Sequence, residues 1–105
     1  MRVLLDHCLP RRLLARLEGL EVRTAAVVGW AELPDGELLR AAATAFDAFV
    51  TVDREIASTR PVPERLAIVV LVAPSNRVAD LEPLVPALRA ALERPARGPV
   101  VVLRR

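Results

Sequence analysis

Lysine is absent from this 105-residue chain; all fifteen basic residues are arginine. The codon usage of a GC-rich genome accounts for that bias without a functional cause. The absence still excludes chemistry: there is no P-loop lysine, no Schiff base and no receiver-domain lysine. The single cysteine, Cys8, excludes a disulfide framework and a paired-cysteine zinc site. Beside a strand end, a lone cysteine reads first as a small buried hydrophobe. Tyrosine is missing too, and two Phe and one Trp are the whole aromatic complement. The core must therefore be aliphatic, which suits a parallel sheet of Val and Leu covered by helices of Leu and Ala. No apolar stretch approaches the roughly 18–20 residues of a membrane span. The N-terminus carries no signal-peptide pattern, so a cytoplasmic protein is expected, with no membrane partner. Formal charge is only +2 although the pI is about 9.9. That balance permits nucleic-acid binding without requiring it.

What is present is a pair of short apolar runs, each closed by an aspartate: Val3-Leu4-Leu5-Asp6 and Phe49-Val50-Thr51-Val52-Asp53. Such runs read as buried parallel strands, and open α/β sheets hold their ligands at the carboxyl ends of such strands. The spacing predicts a strand over 2–5 and a helix that starts near Pro10 and stops at Gly19. A second strand is expected within 21–28 and a loop over 30–34. Asp35 then reads as the N-cap of a helix whose Leu38, Leu39, Ala42, Ala43 and Phe46 face the sheet. Strands over 48–52 and 67–72 follow, the latter the most apolar and so deepest in the sheet. Between them, residues 53–64 with Pro61 and Pro63 read as a loop or short turn. A last helix begins at an Asp80 cap, tolerates Pro83 in its first turn and bends at Pro86. Pro95, Gly98 and Pro99 break the chain before a strand over 100–103. The alternation predicts one α/β domain, a three-layer α/β/α sandwich with a mainly parallel sheet.

A helix antiparallel to the strands begins where the strands end. Asp35 is thereby expected on the same rim as Asp6 and Asp53, with Glu37 and Glu55 close by. Clustered carboxylates repel unless a cation or protons neutralise them. Oxygen ligands without accompanying His or Cys suit Mg²⁺ or Mn²⁺, and such an ion activates water for phosphodiester hydrolysis. Plainer readings stand beside this one: Asp35 as a helix cap, Asp6 and Asp53 as turn residues. His7 reads as a loop histidine or as a ligand or base beside Asp6. Ser75, Asn76 and Arg77 follow the central strand and suit either a turn or contact with phosphate. Arg11, Arg12 and Arg54 are candidates to hold an RNA backbone by charge, and a solvated helix face explains the first two equally well. Trp30 is a candidate partner surface or a cover for the sheet.

The stretch from Val3 to Pro10 resembles the LLDENLP opening of the small PIN-like proteins grouped as DUF5615. The segment from Asp35 through Phe49-Val50-Thr51-Val52-Asp53-Arg54 is similar to the helix and strand that follow in that family. It is also similar to the toxin-type PIN ribonucleases, where an aspartate opens a helix and Thr-x-Asp closes the next strand. The resemblance implies a PIN-like fold in which Asp6, Asp35 and Asp53 are catalytic metal ligands and Glu55 is a further acid. Thr51 would orient or hydrogen-bond the cluster. Apart from the resemblance, the residues themselves offer Glu37, His7 and Asn76 as supporting groups and Arg11, Arg12, Arg54 and Arg77 as RNA contacts. The implied protein is a Mg²⁺- or Mn²⁺-dependent ribonuclease, the toxin of a toxin–antitoxin pair, with a small antitoxin and a homodimer as further partners. The alternative is a PIN-like module that has lost catalysis and binds RNA or protein. Two departures motivate it. His7-Cys8 stands where the family has Glu-Asn, and an early helical glutamate has no motif match, Glu32 and Glu37 being the nearest acids.

Overall fold

The computed structural model describes residues 2–56, 63–94 and 100–104. Five strands, β1 (Arg2–Leu5), β2 (Glu21–Thr24), β3 (Ala48–Thr51), β4 (Ala67–Val72) and β5 (Val100–Arg104), form one sheet in the order β2-β1-β3-β4-β5. Every pairing is parallel. The helices are α1 (Asp35–Ala45), α2 (Val78–Leu81) and α3 (Val85–Glu93), with 3₁₀ segments at Arg11–Leu17 and Glu82–Leu84.

Alternate residues of each central strand enter opposite cores, as the two-residue period of a strand requires. Val3, Leu5, Ala48, Val50, Val69 and Leu71 meet Leu13 and Leu17 of the first 3₁₀ segment and Leu81, Leu84, Leu88 and Leu92 of the last helices. Leu4, Phe49, Ile68 and Val70 meet Leu38, Leu39 and Ala42 of α1. Helices therefore cover both faces of the sheet, the layered α/β arrangement expected. Burial explains the strand sequences. β4 is continuously apolar, and β1 and β3 are apolar and buried apart from the exposed Arg2 and the buried Thr51, because both faces are covered, whereas the edge strands β2 and β5 mix partly covered and exposed residues and bury only Thr24.

Local geometry departs from the sequence expectation in instructive places. The segment after Pro10 is 3₁₀ rather than α-helical, and Gly19, with φ of 90°, turns the chain into β2. β2 stops at Thr24, short of the expected residue 28. The backbone turns there: Ala25 N–H donates to the Leu5 carbonyl, Val28 N–H to Thr24 and Trp30 N–H to Ala25, with Gly29 at φ 81°. A left-handed residue of that kind strongly favours glycine. The cap of α1 is Pro34, which has no side-chain group to cap with, and Asp35 is the first helical residue. Its charge still suits the positive end of the helix dipole.

The last helix is not a single bent rod. Asp80 lies inside α2, whose cap is Arg77. The chain tightens into a 3₁₀ turn at Glu82–Leu84, where Val85 N–H reaches the Glu82 carbonyl, and α3 restarts with Pro86 in its first turn. A proline there leaves no helical hydrogen bond unmade. β3 ends at Thr51, one residue early, and β5 runs one residue further, to Arg104. The turn signals read at Pro61, Pro95, Gly98 and Pro99 lie outside the described residues.

Candidate functional site

From β1 the chain runs outward to β2, then returns across β1 to β3 on its other side. The 3₁₀ connection lies on one face and α1 on the opposite face. A doubly wound sheet leaves its crevice at such a reversal, outside the carboxyl ends of the strands. Here the reversal lies between β1 and β3, the strands followed by Asp6 and Asp53.

Asp6 is locked to that rim by its backbone. Its N–H donates to the Val50 carbonyl at 2.9 Å, and its carbonyl accepts from Leu9 N–H at 3.0 Å. The side chain is buried, 4% exposed, and both oxygens are engaged. Oδ1 accepts from the His7 N–H at 2.8 Å and lies 3.0 Å from His7 Nδ1. Oδ2 accepts from the Thr51 hydroxyl at 2.6 Å, with the Cys8 thiol at 3.5 Å. A buried carboxylate needs such donors, since each one left out costs desolvation without return.

Thr51 is fully buried and shares the pleat side of Phe49, the side covered by α1. Its hydroxyl donates to Asp6 and accepts from the backbone N–H of Asp53 at 3.0 Å. One hydroxyl thus ties the ends of β1 and β3 together. Asp53 then closes an Asx-type turn, its Oδ1 accepting from Glu55 N–H at 2.9 Å. Burial pushes the Cys8 thiol above its ordinary pKa, and the Asp6 charge adds to that shift. Cys8 is a neutral thiol at pH 7, suited to donating toward Asp6.

Asp35 is half-buried at the head of α1, while Glu37, Glu55 and Glu32 are exposed. Among the described residues, no three His, Cys, Asp or Glu side chains lie together closely enough to hold a metal ion. The oxygen donors suit a hard cation in kind, and Asp6 and Asp53 are the two acids joined through Thr51. Any ion at Asp6 must exchange with one of the hydrogen bonds its oxygens already accept. Arg11, Arg12, Arg54 and Arg77 are exposed, and none is ion-paired with another described residue.

Three further features shape the rim, of which only the turn at Ser75 was legible in the sequence. The Asn76 side-chain N–H donates to the Cys8 carbonyl at 2.7 Å, pinning the loop after β4 to the turn after β1. Ser75 donates to Asp80 and accepts from Arg77 N–H at 3.0 Å, which shapes that loop. Cys8 packs against the core as a small hydrophobe and also brings its thiol near two polar partners, Asp6 and Thr51. Only its position two residues after a strand-ending acid could have signalled this.

Comparison of the chain with family models, with curated proteins and with solved structures finds no match in any of the three. Among the described residues, no helix is long and apolar enough to cross a membrane.

Proposed function

We propose that this chain is a PIN-type ribonuclease acting in the cytoplasm as the toxin of a toxin–antitoxin pair. The reading rests on the resemblance of its opening and of its Asp35–Arg54 segment to that family. One observation carries it. The Thr51 hydroxyl joins Asp6 to the backbone of Asp53 at the sheet's reversal point, where this class of fold handles ligands.

Asp6 and Asp53 would hold Mg²⁺ or Mn²⁺, with Asp35 and Glu55 as the other acids of the rim. When bound, such an ion supplies Lewis-acid activation of water and screening of a phosphodiester. The protein's own part is positional. Thr51 fixes the Asp6 carboxylate, and the turn at Asp53–Glu55 holds the second acid at the end of β3. Arg11, Arg12, Arg54 and Arg77, exposed and without ion-pair partners among the described residues, would be the cations for the RNA backbone, and Asn76 holds the loop after β4 to the turn after β1. A small antitoxin protein and a second copy of the chain are the proposed protein partners.

Mn²⁺-stimulated cleavage of single-stranded RNA is expected from the wild-type protein, abolished by EDTA and reduced to background in Asp6→Asn and Asp53→Asn. Binding of the ion also raises the melting temperature of the wild type. Absence of both effects removes the enzymatic reading. A second reading is favoured by the engagement of both Asp6 oxygens by His7, Cys8 and Thr51. In it the rim is a brace, and the domain binds RNA or protein without cleaving it. RNA binding that survives EDTA and Asp53→Asn, with no cleavage, selects that reading.

A further inference from the structure

A pocket of about 360 Å³ opens at the carboxyl ends of β3 and β4, directly beside the Asp53 turn. Val52, Leu71, Val72 and Ala73 give it an apolar floor, and Arg54 and Asn76 stand at its edge. Its size lies within the range of small-ligand sites, and such sites pair apolar walls with a few fixed polar groups. Those polar groups are already sorted. Ser75, which also lines the pocket, spends its hydroxyl on Asp80 and on the Arg77 N–H, so it shapes the wall. Asn76 spends an N–H on the Cys8 carbonyl, which fixes its amide and leaves its carbonyl oxygen as an acceptor. Arg54 is exposed and has no ion-pair partner among the described residues. An apolar slot flanked by one fixed amide and one unpaired guanidinium suits a flat heteroaromatic ring attached to an anion.

We propose that this pocket seats one nucleobase of the RNA strand, with Arg54 on the adjoining phosphate and Asn76 at the base edge. The proposal deepens the ribonuclease reading and rests on it for the identity of the strand. It assigns base preference to the β3–β4 rim and leaves phosphodiester chemistry to Asp6 and Asp53. Base recognition by stacking and edge hydrogen bonds is the usual mode for single-stranded RNA.

The test separates the two readings by using EDTA throughout. The four ribonucleoside 5′-monophosphates are titrated into the full chain and followed by amide ¹H–¹⁵N shifts, with inorganic phosphate alone as the control. Saturable shifts at Val72, Ala73 and Asn76 are expected with at least one nucleotide and not with phosphate. Arg54→Gln should weaken that binding about tenfold, the loss of one charge-assisted contact. Ala73→Leu fills the pocket and should abolish it. If Ala73→Leu melts early, the exposed Arg54→Gln decides alone. Phosphate producing the same shifts, or nucleotides producing none at these amides, overturns the subsite. Pocket shifts in a protein that cleaves no RNA leave the subsite standing and remove the hydrolytic reading. Mn²⁺-dependent cleavage without pocket shifts does the reverse.

Discussion

A threonine hydroxyl has one proton to give and lone pairs to receive with, and Thr51 uses both, toward Asp6 at 2.6 Å and from Asp53 N–H at 3.0 Å. Valine has the same shape without that chemistry. Thr51→Val should therefore leave packing intact while stranding a buried carboxylate oxygen and a backbone N–H. The expected loss is about 1–3 kcal/mol of unfolding free energy, read by urea denaturation, whereas Thr51→Ser should recover most of the hydrogen-bond part. A loss in Thr51→Ser with none in Thr51→Val would show that the methyl group, not the hydroxyl, matters. At this scale the sequence was partly legible. The family resemblance implied that Thr51 orients or hydrogen-bonds the acids, and its hydroxyl bonds Asp6. The hydrogen bonds of Asp6 with His7 and Cys8 were not legible, because they depend on the tight turn that carries Leu9 N–H back to the Asp6 carbonyl. Composition says nothing about such a turn.

Elements were read well where burial dictates sequence and poorly where the chain bends. β4 is apolar along its length because it lies between β3 and β5 and is covered on both faces, so its depth was evident from residues alone. The first helix is 3₁₀, which the sequence does not separate from α because Leu13, Leu14 and Leu17 fit either helical period over so short a run. Pro83 and Pro86 announced an irregularity, but not that the helix would stop and restart. That restart yields a prediction. Pro86 lies exposed in the first turn of α3, while Leu88 is fully buried against the sheet. Pro86→Ala should cost less than about 1 kcal/mol, since only the stiffness of the unfolded chain changes. Leu88→Ala should cost about 2–5 kcal/mol by opening a cavity in the core. Denaturant midpoints with unchanged slope would confirm that both act on stability alone. A large loss in Pro86→Ala would mean that the proline holds the helix start in place.

For the whole molecule, the strand order places the reversal of the sheet between β1 and β3, and with it the crevice at Asp6 and Asp53. The sequence supplied the parallel α/β class and the two strand-ending acids. The order itself was hidden, because pairing of β1 with β2 on one side and β3 on the other is decided by packing of α1 and the 3₁₀ segment on opposite faces. Asp35 shows the same limit. That a helix starts about there was legible, though its cap is Pro34, and the relation of Asp35 to Asp6 and Asp53 depends on how α1 lies across the sheet. In the proposed reading this rim is the working centre and Asp6 and Asp53 share one ion there. Anomalous scattering from crystals soaked in Mn²⁺ should then show a single strong peak contacting the carboxylates of Asp6 and Asp53, lost in Asp53→Asn. A peak elsewhere, or none while both carboxylates keep their present hydrogen bonds, would contradict it.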